Sequence, residues 1–317
     1  MATKNPSQSS ALSRDLTLPS NHKSDKAITT IPRLVYGTAW KRDRTADLVY
    51  TALQSGFRGI DTAAQPRHYQ EDLVGEGLRR AIADGLVTRQ HIFLQTKFSP
   101  IGAQDPGNMP YDPDAPLADQ VRTSVASSLR NLATTDTGEA YLDSVVLHSP
   151  LRSMEETVLV WKALSKYVPS QIRHLGISNT PLEIVEYLLA APDVKVKPSV
   201  VQNRFHEKTR WEVPLRRLCR QHGIVFQSFW TLSGNPRLLK QEPVNVIAEA
   251  AGVEKEVAYY ALVLGLEGTT VLDGTTSQAH MQADLEGIEK VGQWAGHDGK
   301  ETWTKALTDF KVLIGEA

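Results

Sequence analysis

The chain has 317 residues, of which 41% are hydrophobic and 22% charged, values typical of a globular protein with a large core. Its 35 basic and 36 acidic side chains give a net charge of −1. Because nucleic-acid-binding proteins carry an excess of basic groups, this balance argues against a nucleic-acid partner. The longest apolar run, near 259–266, is too short to span a bilayer, so no membrane association is expected.

The first 27 residues are rich in Ser, Thr, Asn and Lys and lack the apolar centre of a secretory signal. We predict a flexible N-terminal extension over 1–27 and a cytoplasmic protein. Acidic residues are sparse in this extension, which leaves a targeting role open. The single cysteine, Cys219, excludes an internal disulfide and suits a reducing compartment. It stands at helical spacing and is interpreted as a core residue.

From residue 31 onward, short apolar runs alternate with longer amphipathic stretches. Near-continuous apolar runs are typical of parallel strands covered on both faces. Eight such runs occur, at 34–37, 58–61, 92–96, 144–147, 174–177, 199–202, 224–227 and 269–272. Helical patterns lie between them, among them 43–54, 153–167, 181–190 and 210–222.

Eight strands that each precede a helix predict an α/β fold, a (β/α)8 TIM barrel forming one domain over 28–317. The main alternative is an open doubly wound sheet, but no Gly-x-Gly-x-x-Gly follows an early strand. Gly75 and Gly77 lie inside a helical pattern instead. Segments 99–116 and 231–243 are rich in Pro and Gly, and both follow the carboxyl end of a strand. They predict long loops on the C-terminal face, where barrels carry their active sites.

Reactive side chains stand at the carboxyl ends of consecutive predicted strands: Asp61 after the second, Lys97 after the third and His148 after the fourth. Tyr69 begins the following helix. A phenol beside an ammonium group is expected to have a lowered pKa, and a carboxylate behind the lysine keeps it charged. Such a phenol can protonate a forming alkoxide while histidine orients a carbonyl oxygen, which suits hydride addition from a nicotinamide.

These residues stand in segments that resemble the aldo-keto reductase family over about 31–292. The segments are GIDTA at 59–63 followed by Tyr69, LQTK at 94–97, VVLHS at 145–149, LGISN at 175–179 and VQN at 201–203. The resemblance implies NAD(P)H-dependent reduction of an aldehyde or ketone to an alcohol. It also implies a tetrad of Asp61, Tyr69, Lys97 and His148, in which Tyr69 is the general acid.

The resemblance further implies a nicotinamide site and a substrate pocket. Ser178, Asn179 and Gln202 would hold the carboxamide, and Phe229 would stack on the ring, because stacking needs only an aromatic face. The residues interpreted as walls of an apolar substrate pocket are Trp40, Phe98 and Trp230.

Two departures from the family pattern concern the acid and the phosphate. Residues 65–68 lengthen the loop before Tyr69 and bring in His68 as a second candidate for the acid. After the eighth strand the family has a lysine and then an arginine that grip the 2′-phosphate of NADP, whereas this chain has Asp273 and, at the arginine position, His280. The backbone amides of Gly274 and Thr275, expected at the start of the last helix, remain candidates for holding a phosphate. The cofactor is therefore NADP or NAD, with the preference open.

Two other functions stay open on the same barrel. One is a redox-neutral isomerase or cyclase that reuses Tyr69 and His148 for proton transfer, and the other is a non-catalytic regulatory subunit. A metal-dependent hydrolase is not expected, because the chain lacks a His-x-His strand and no second histidine lies at ligand spacing from His148. The expected partner is a small carbonyl compound, and the expected state is a monomer or a weak homo-oligomer.

Overall fold

The computed structural model describes residues 9–19, 29–134 and 140–316. The strands are β1 Leu16–Thr17, β2 Thr30–Ile31, β3 Leu34–Gly37, β4 Gly59–Asp61, β5 Phe93–Phe98, β6 Leu142–Leu147, β7 Ile172–Ser178, β8 Val200–Arg204, β9 Val225–Phe229 and β10 Thr269–Asp273. The helices are α1 Thr45–Ser55, α2 Glu71–Ala83, α3 Leu117–Asn131, α4 Met154–Ser165, α5 Leu182–Ala190, α6 Val213–Gln221, α7 Glu242–Ala251, α8 Lys255–Leu264, α9 Gln278–Gly296 and α10 Lys300–Leu313.

Strands β3 to β10 form a closed barrel in which every neighbouring pair is parallel. Each of the eight predicted apolar runs corresponds to one strand, with ends that differ by one or two residues. The predicted (β/α)8 barrel is therefore confirmed. Since all strands run the same way, their carboxyl ends meet at one face of the barrel.

The amino-terminal face of the barrel is closed by apolar side chains. Leu18 and Ile31 pack there against the starts of several barrel strands, and the cluster is completed by Val35, Phe93, Val200 and Val225. The short strands β1 and β2 pair antiparallel beside it. Residues 9–19 thus differ from the flexible extension predicted for 1–27, because Leu12 and Leu18 are buried. The rest of that predicted extension lies outside the described residues.

The two glycines of α2 serve helix packing. A Cβ atom on Gly75 would lie 1.9 Å from the carbonyl oxygen of Asn131, and one on Gly77 would lie 2.5 Å from that of Ala46. Neither clash can be relieved by rotating a side chain, because both neighbours are backbone atoms. The glycines therefore allow α2 to approach its neighbours closely.

The end of the chain is tied to α6 by buried charges. Arg216 forms an ion pair with Glu316, and Arg220 Nη1 lies 2.6 Å from Glu316 Oε1. Only 1% of the Arg216 side chain and 6% of the Glu316 side chain are exposed. Nearby, burial raises the pKa of the Cys219 thiol to about 12, which agrees with a core role.

The two predicted loops lie where the sequence places them, after β5 and after β9. Each holds a single short 3-10 turn, at Ile101–Ala103 and Leu238–Lys240 respectively, and the second loop gives way to α7 at Glu242. No helix within the described residues is long and apolar enough to cross a membrane.

Candidate active site

The four residues of the predicted tetrad meet at the carboxyl face of the barrel. Asp61 ends β4, Lys97 lies near the end of β5, His148 follows β6, and Tyr69 lies in the loop before α2. Lys97 Nζ lies 2.5 Å from Asp61 Oδ2 and donates to the carbonyl oxygen of Thr62 at 2.8 Å. Because only 1% of the Lys97 side chain and 3% of the Asp61 side chain are exposed, this is a buried ion pair.

The Asp61 carboxylate is fixed from both sides of the barrel. Its Oδ1 atom accepts hydrogen bonds from Gln95 Nε2 at 2.7 Å and from Gln202 Nε2 at 3.1 Å. Gln227 Oε1 accepts from the same two amides at 2.8 and 3.0 Å. The direction of the Lys97 ammonium therefore depends on side chains from four strands.

Tyr69 is placed between the lysine and the histidine. Lys97 Nζ lies 5.0 Å from the centroid of the Tyr69 ring, and the ring of His148 meets it edge to face with centroids 6.0 Å apart. The rival candidate His68 instead stacks on Trp40, with ring centroids 3.8 Å apart. Of the two, only Tyr69 contacts the ion pair.

The lengthened loop before Tyr69 is held by backbone hydrogen bonds. Ala64 N donates to the carbonyl oxygen of Lys97 at 3.0 Å, and Tyr69 N donates to that of Gln65 at 3.0 Å. Gln104 Nε2, from the loop after β5, donates to the carbonyl oxygen of Ala64 at 2.8 Å. The extra residues therefore form a compact turn, and Tyr69 still reaches the ion pair.

Sequence reasoning missed a partner of His148. Ser99 Oγ lies 2.6 Å from His148 Nδ1, and the serine is fully buried. Its backbone is fixed as well, because Tyr111 Oη donates to the carbonyl oxygen of Ser99 at 2.6 Å. The only sequence signal was the position of Ser99, two residues beyond Lys97 at the same barrel end.

Burial controls the ionisation of Tyr69, Lys97 and His148. It raises the pKa of the Tyr69 phenol above its ordinary value, and the Asp61 charge raises it further. The expectation of a lowered Tyr69 pKa is therefore wrong: burial outweighs the effect of the Lys97 ammonium, which is paired with Asp61, and burial lowers the pKa of Lys97 itself. Burial, together with Lys97 and His68, lowers the pKa of His148 to about 3, so its imidazole is neutral at neutral pH.

A cleft of about 1120 Å³ runs from this group along the carboxyl face of the barrel. Phe98 and Lys97 do not line it; Phe98 is 2% exposed and stacks on Tyr111, away from the cleft. The cleft does bring together most of the residues predicted for the site, namely Trp40, Asp61, Tyr69, His148, Ser178, Asn179, Gln202, Phe229, Trp230, Gly274, Thr275 and His280.

Polar groups after β7 and β8 border the part of the cleft beside the tetrad. Ser178 Oγ donates to the carbonyl oxygen of Gln202 at 2.6 Å, and Asn179 Nδ2 donates to that of His148 at 2.9 Å. Two side-chain oxygens, Asn179 Oδ1 and Gln202 Oε1, accept no hydrogen bond from the residues that the structure describes. Phe229, at the end of β9, is half-buried and lines the same region.

Three cleft residues adopt left-handed backbone conformations. The φ angles are +63° at Trp40, +50° at Asn179 and +57° at Trp230. This region is rare for bulky side chains and costs on the order of 1–3 kcal/mol per residue. The two tryptophans are also 63% and 55% exposed. Strained backbone thus presents two large aromatic faces at the cleft.

The far end of the cleft differs from the sequence prediction. The last stretch before α9 is not helical, because α9 begins at Gln278 and Ser277 caps it. The amide of Thr275 donates to Asp273 Oδ1 at 2.9 Å, so it is not free to hold a phosphate as predicted. Sequence reasoning also missed charged residues that line this end, among them Lys41, Glu256 and Asp284.

Comparisons with known proteins agree with this fold. The model of the aldo/keto reductase family matches residues 33–293. The chain is 28% identical over 261 residues to an uncharacterized oxidoreductase of Schizosaccharomyces pombe, covering 81% of this chain and 82% of the relative. It is 28% identical to the glyoxal reductase of Bacillus subtilis over 65% of this chain and 64% of that protein.

Solved structures share the barrel. An aldo-keto reductase of the silkworm, Bombyx mori, complexed with NADPH superposes with a TM-score of 0.68 at 19% identity, over 89% of this chain and 88% of that chain. An aldo/keto reductase from Brucella melitensis gives 0.66 at 22% identity, over 88% and 99%. The chain belongs to the aldo/keto reductase family, and it is an NAD(P)-dependent oxidoreductase.

Proposed function

We propose that this protein reduces an aldehyde or a ketone to an alcohol, with Tyr69 as the general acid. The observation that carries the proposal is the convergence of a phenol, a buried ammonium–carboxylate pair and a neutral imidazole on one cleft. These are the groups needed to orient a carbonyl and protonate the oxygen that becomes an alkoxide. The similarity to the glyoxal reductase of Bacillus subtilis supports the same reaction type.

The cleft beside the tetrad fits a nicotinamide ring. Asn179 Oδ1 and Gln202 Oε1 are free within the described residues, so they can accept hydrogen bonds from a carboxamide NH2 group. Ser178 fixes the backbone of Gln202, and Phe229 offers an aromatic face for stacking. When bound there, the nicotinamide supplies the hydride.

Tyr69 holds the proton that completes the reaction. Its raised pKa keeps the phenol protonated in the resting site, and the proton moves from the phenol oxygen only when the carbonyl oxygen gains negative charge. Lys97 then lies close to the phenolate that remains and stabilises its charge. Asp61 orients the ammonium and balances its charge in the buried site.

His148 orients the carbonyl oxygen. We assign Ser99 Oγ as the donor to Nδ1, an arrangement that leaves the hydrogen of the neutral ring on Nε2. An Nε2–H group can donate to the carbonyl oxygen and to the alkoxide that forms from it. The Asn179 side chain donates a hydrogen bond to the backbone carbonyl oxygen of His148 and so fixes the backbone that carries the imidazole ring.

The substrate is proposed to be an apolar, partly aromatic carbonyl compound. Trp40 and Trp230 expose large faces at the cleft, and the Arg204 guanidinium lies 4.7 Å from the Trp230 ring centroid. Aromatic faces of this kind bind flat apolar groups by stacking and by removing apolar surface from water.

The proposal is tested by mixing the purified protein with NADH or NADPH and an aromatic aldehyde and following the absorbance of the reduced nicotinamide. We expect oxidation of the cofactor and formation of the corresponding alcohol. Cofactor binding without oxidation, over a panel of aldehydes and ketones, would favour a regulatory subunit. If neither cofactor binds, the reductase assignment is wrong and a redox-neutral reaction becomes the better account.

A further inference from the structure

The end of the cleft away from the tetrad is bordered by carboxyl groups. Asp273 ends β10, Asp284 lies on α9, and Glu256 lies on α8; all three line the cleft. Asp273 is 2% exposed and Asp284 is 7% exposed, whereas Glu256 is open to solvent. Two of these carboxyl groups are therefore buried in the cleft wall.

The carboxyl groups of Asp273 and Asp284 are neighbours in the cleft wall, close enough to share a proton. Asp273 Oδ1 accepts from the Thr275 amide, while the buried Oδ2 receives no hydrogen bond from an N–H or hydroxyl group of the described residues. Because two adjacent buried carboxylates repel each other strongly, the pair keeps one proton between them. Burial and the neighbouring Asp273 accordingly raise the pKa of Asp284 to about 8.

Little positive charge offsets this pair. Lys41 Nζ donates to the carbonyl oxygen of Gly274 and lies 5.8 Å from the Tyr36 ring centroid. His280, the other basic residue at this end, is exposed on the first turn of α9. The buried carboxyl pair and Glu256 are thus faced by one ammonium group and one exposed imidazole.

We propose that the carboxyl pair of Asp273 and Asp284 makes this enzyme select NADH against NADPH. The inference rests on the proposed function, which places the nicotinamide beside the tetrad and the rest of the dinucleotide along the cleft. A ribose 2′-hydroxyl can donate a hydrogen bond to a carboxylate, and in other NAD-binding proteins an acidic residue accepts this bond. A 2′-phosphate brings two further negative charges to the same carboxyl groups and finds few donors.

The test is a binding titration. The dissociation constants of NADH and NADPH are measured by quenching of tryptophan fluorescence for the unaltered protein, H280R and the double variant D273N/D284N. We expect the unaltered protein to bind NADH at least about ten-fold more tightly, a difference that one unfavourable charge contact supplies. The double variant replaces the carboxyl groups by amides of the same shape. Its dissociation constants for NADH and NADPH should lie within about three-fold of each other.

A matched control is E249Q, which removes an exposed acidic charge on α7 outside the cleft and should leave the ratio unchanged. Thermal unfolding checks that each variant folds; if the double variant does not, H280R, which adds an exposed cation beside the carboxyl pair, must lower the ratio. Equal or tighter binding of NADPH by the unaltered protein would overturn the inference, as would a ratio that the substitutions do not move. Failure to bind either cofactor would instead overturn the proposed function.

Discussion

The hydroxyl oxygen of Ser99 lies 2.6 Å from Nδ1 of His148, and this hydrogen bond couples the serine to the tautomer of the ring. The serine is fully buried and its carbonyl oxygen is held by Tyr111, so its hydroxyl has little freedom to turn elsewhere. In an isolated neutral imidazole the proton can occupy either nitrogen. Here the Nε2–H group of His148, which is proposed to donate a hydrogen bond to the carbonyl oxygen of the substrate, depends on Ser99. Ser99 itself has no proposed contact with the substrate.

Removing this hydroxyl should slow turnover without weakening cofactor binding. We expect S99A to lower kcat by about ten-fold, since a lost hydrogen bond of about 1–1.5 kcal/mol corresponds to that factor. S99T keeps the hydroxyl and should recover most of the rate. The measurement is steady-state kinetics together with cofactor titration. Equal rates for S99A and the unaltered protein would show that Ser99 does not position His148.

Tyr69 and His68 can be separated by matched substitutions. Y69F removes one oxygen and keeps the ring against His148, so kcat should fall by about 10²–10⁴-fold, the usual contribution of a general acid. Cofactor dissociation constants should stay the same, because the phenol oxygen makes no hydrogen bond within the described residues.

The companion variant H68F keeps a flat ring beside Trp40 and should reduce kcat by less than about ten-fold. Both variants are compared by single-turnover kinetics with the same aldehyde. A large loss in H68F with full activity in Y69F would reverse the assignment of the acid.

The buried carboxyl pair predicts a pH-dependent stability. The pKa of Asp284 rises from 3.8 to about 8 on folding, so between these values the folded protein keeps a proton that the unfolded chain releases. The free energy of unfolding contributed by this group therefore falls as pH rises through that window. The asparagine introduced by D284N cannot ionise, so the stability of this variant relative to the unaltered protein should grow by about 4 kcal/mol between about pH 4.5 and about pH 8.

Urea unfolding at the two pH values measures this difference. D309N, which removes an exposed carboxyl on α10, is the control and should show no comparable trend. A stability difference between D284N and the unaltered protein that is the same at both pH values would contradict the shared proton.

The ion pair at the end of the chain predicts a large effect from a single substitution. E316Q leaves the guanidinium of Arg216 buried without a carboxylate, which should lower the free energy of unfolding by about 3 kcal/mol. D47N removes the carboxylate of an exposed pair with Arg80 and should change it by less than about 1 kcal/mol. Similar losses for the two variants in denaturant titrations would mean that burial does not strengthen the pair.

The sequence was sufficient to predict the barrel and the tetrad because both depend on local patterns. Apolar runs mark the strands, and parallel strands bring Asp61, Lys97 and His148 to one face wherever the helices lie. Ser99 could not be assigned, because its contact depends on how the loop after β5 turns. Asp284 and Lys41 were missed for a similar reason: the rotation of α9 and the path of the loop after β3 decide which side chains face the cleft.

Two of the wrong expectations, on the Tyr69 pKa and on the Thr275 amide, have clear physical causes. The pKa of Tyr69 was expected to fall because Lys97 is near, but pattern reasoning does not reveal that Asp61 takes up the lysine charge and that burial dominates. The amide of Thr275 was expected to be free at a helix start. In the structure Asp273 occupies it, and the helix begins three residues later, at Gln278.

The hydrogen bond between Asp61 and Gln202 joins residues 141 positions apart in the chain. Contacts of such long sequence separation form late in folding, because a large loop must close before they can be made. Secondary structure can therefore return on refolding before the Asp61 carboxylate is held. The rate at which turnover recovers on refolding would then report how fast the barrel closes around the proposed catalytic group.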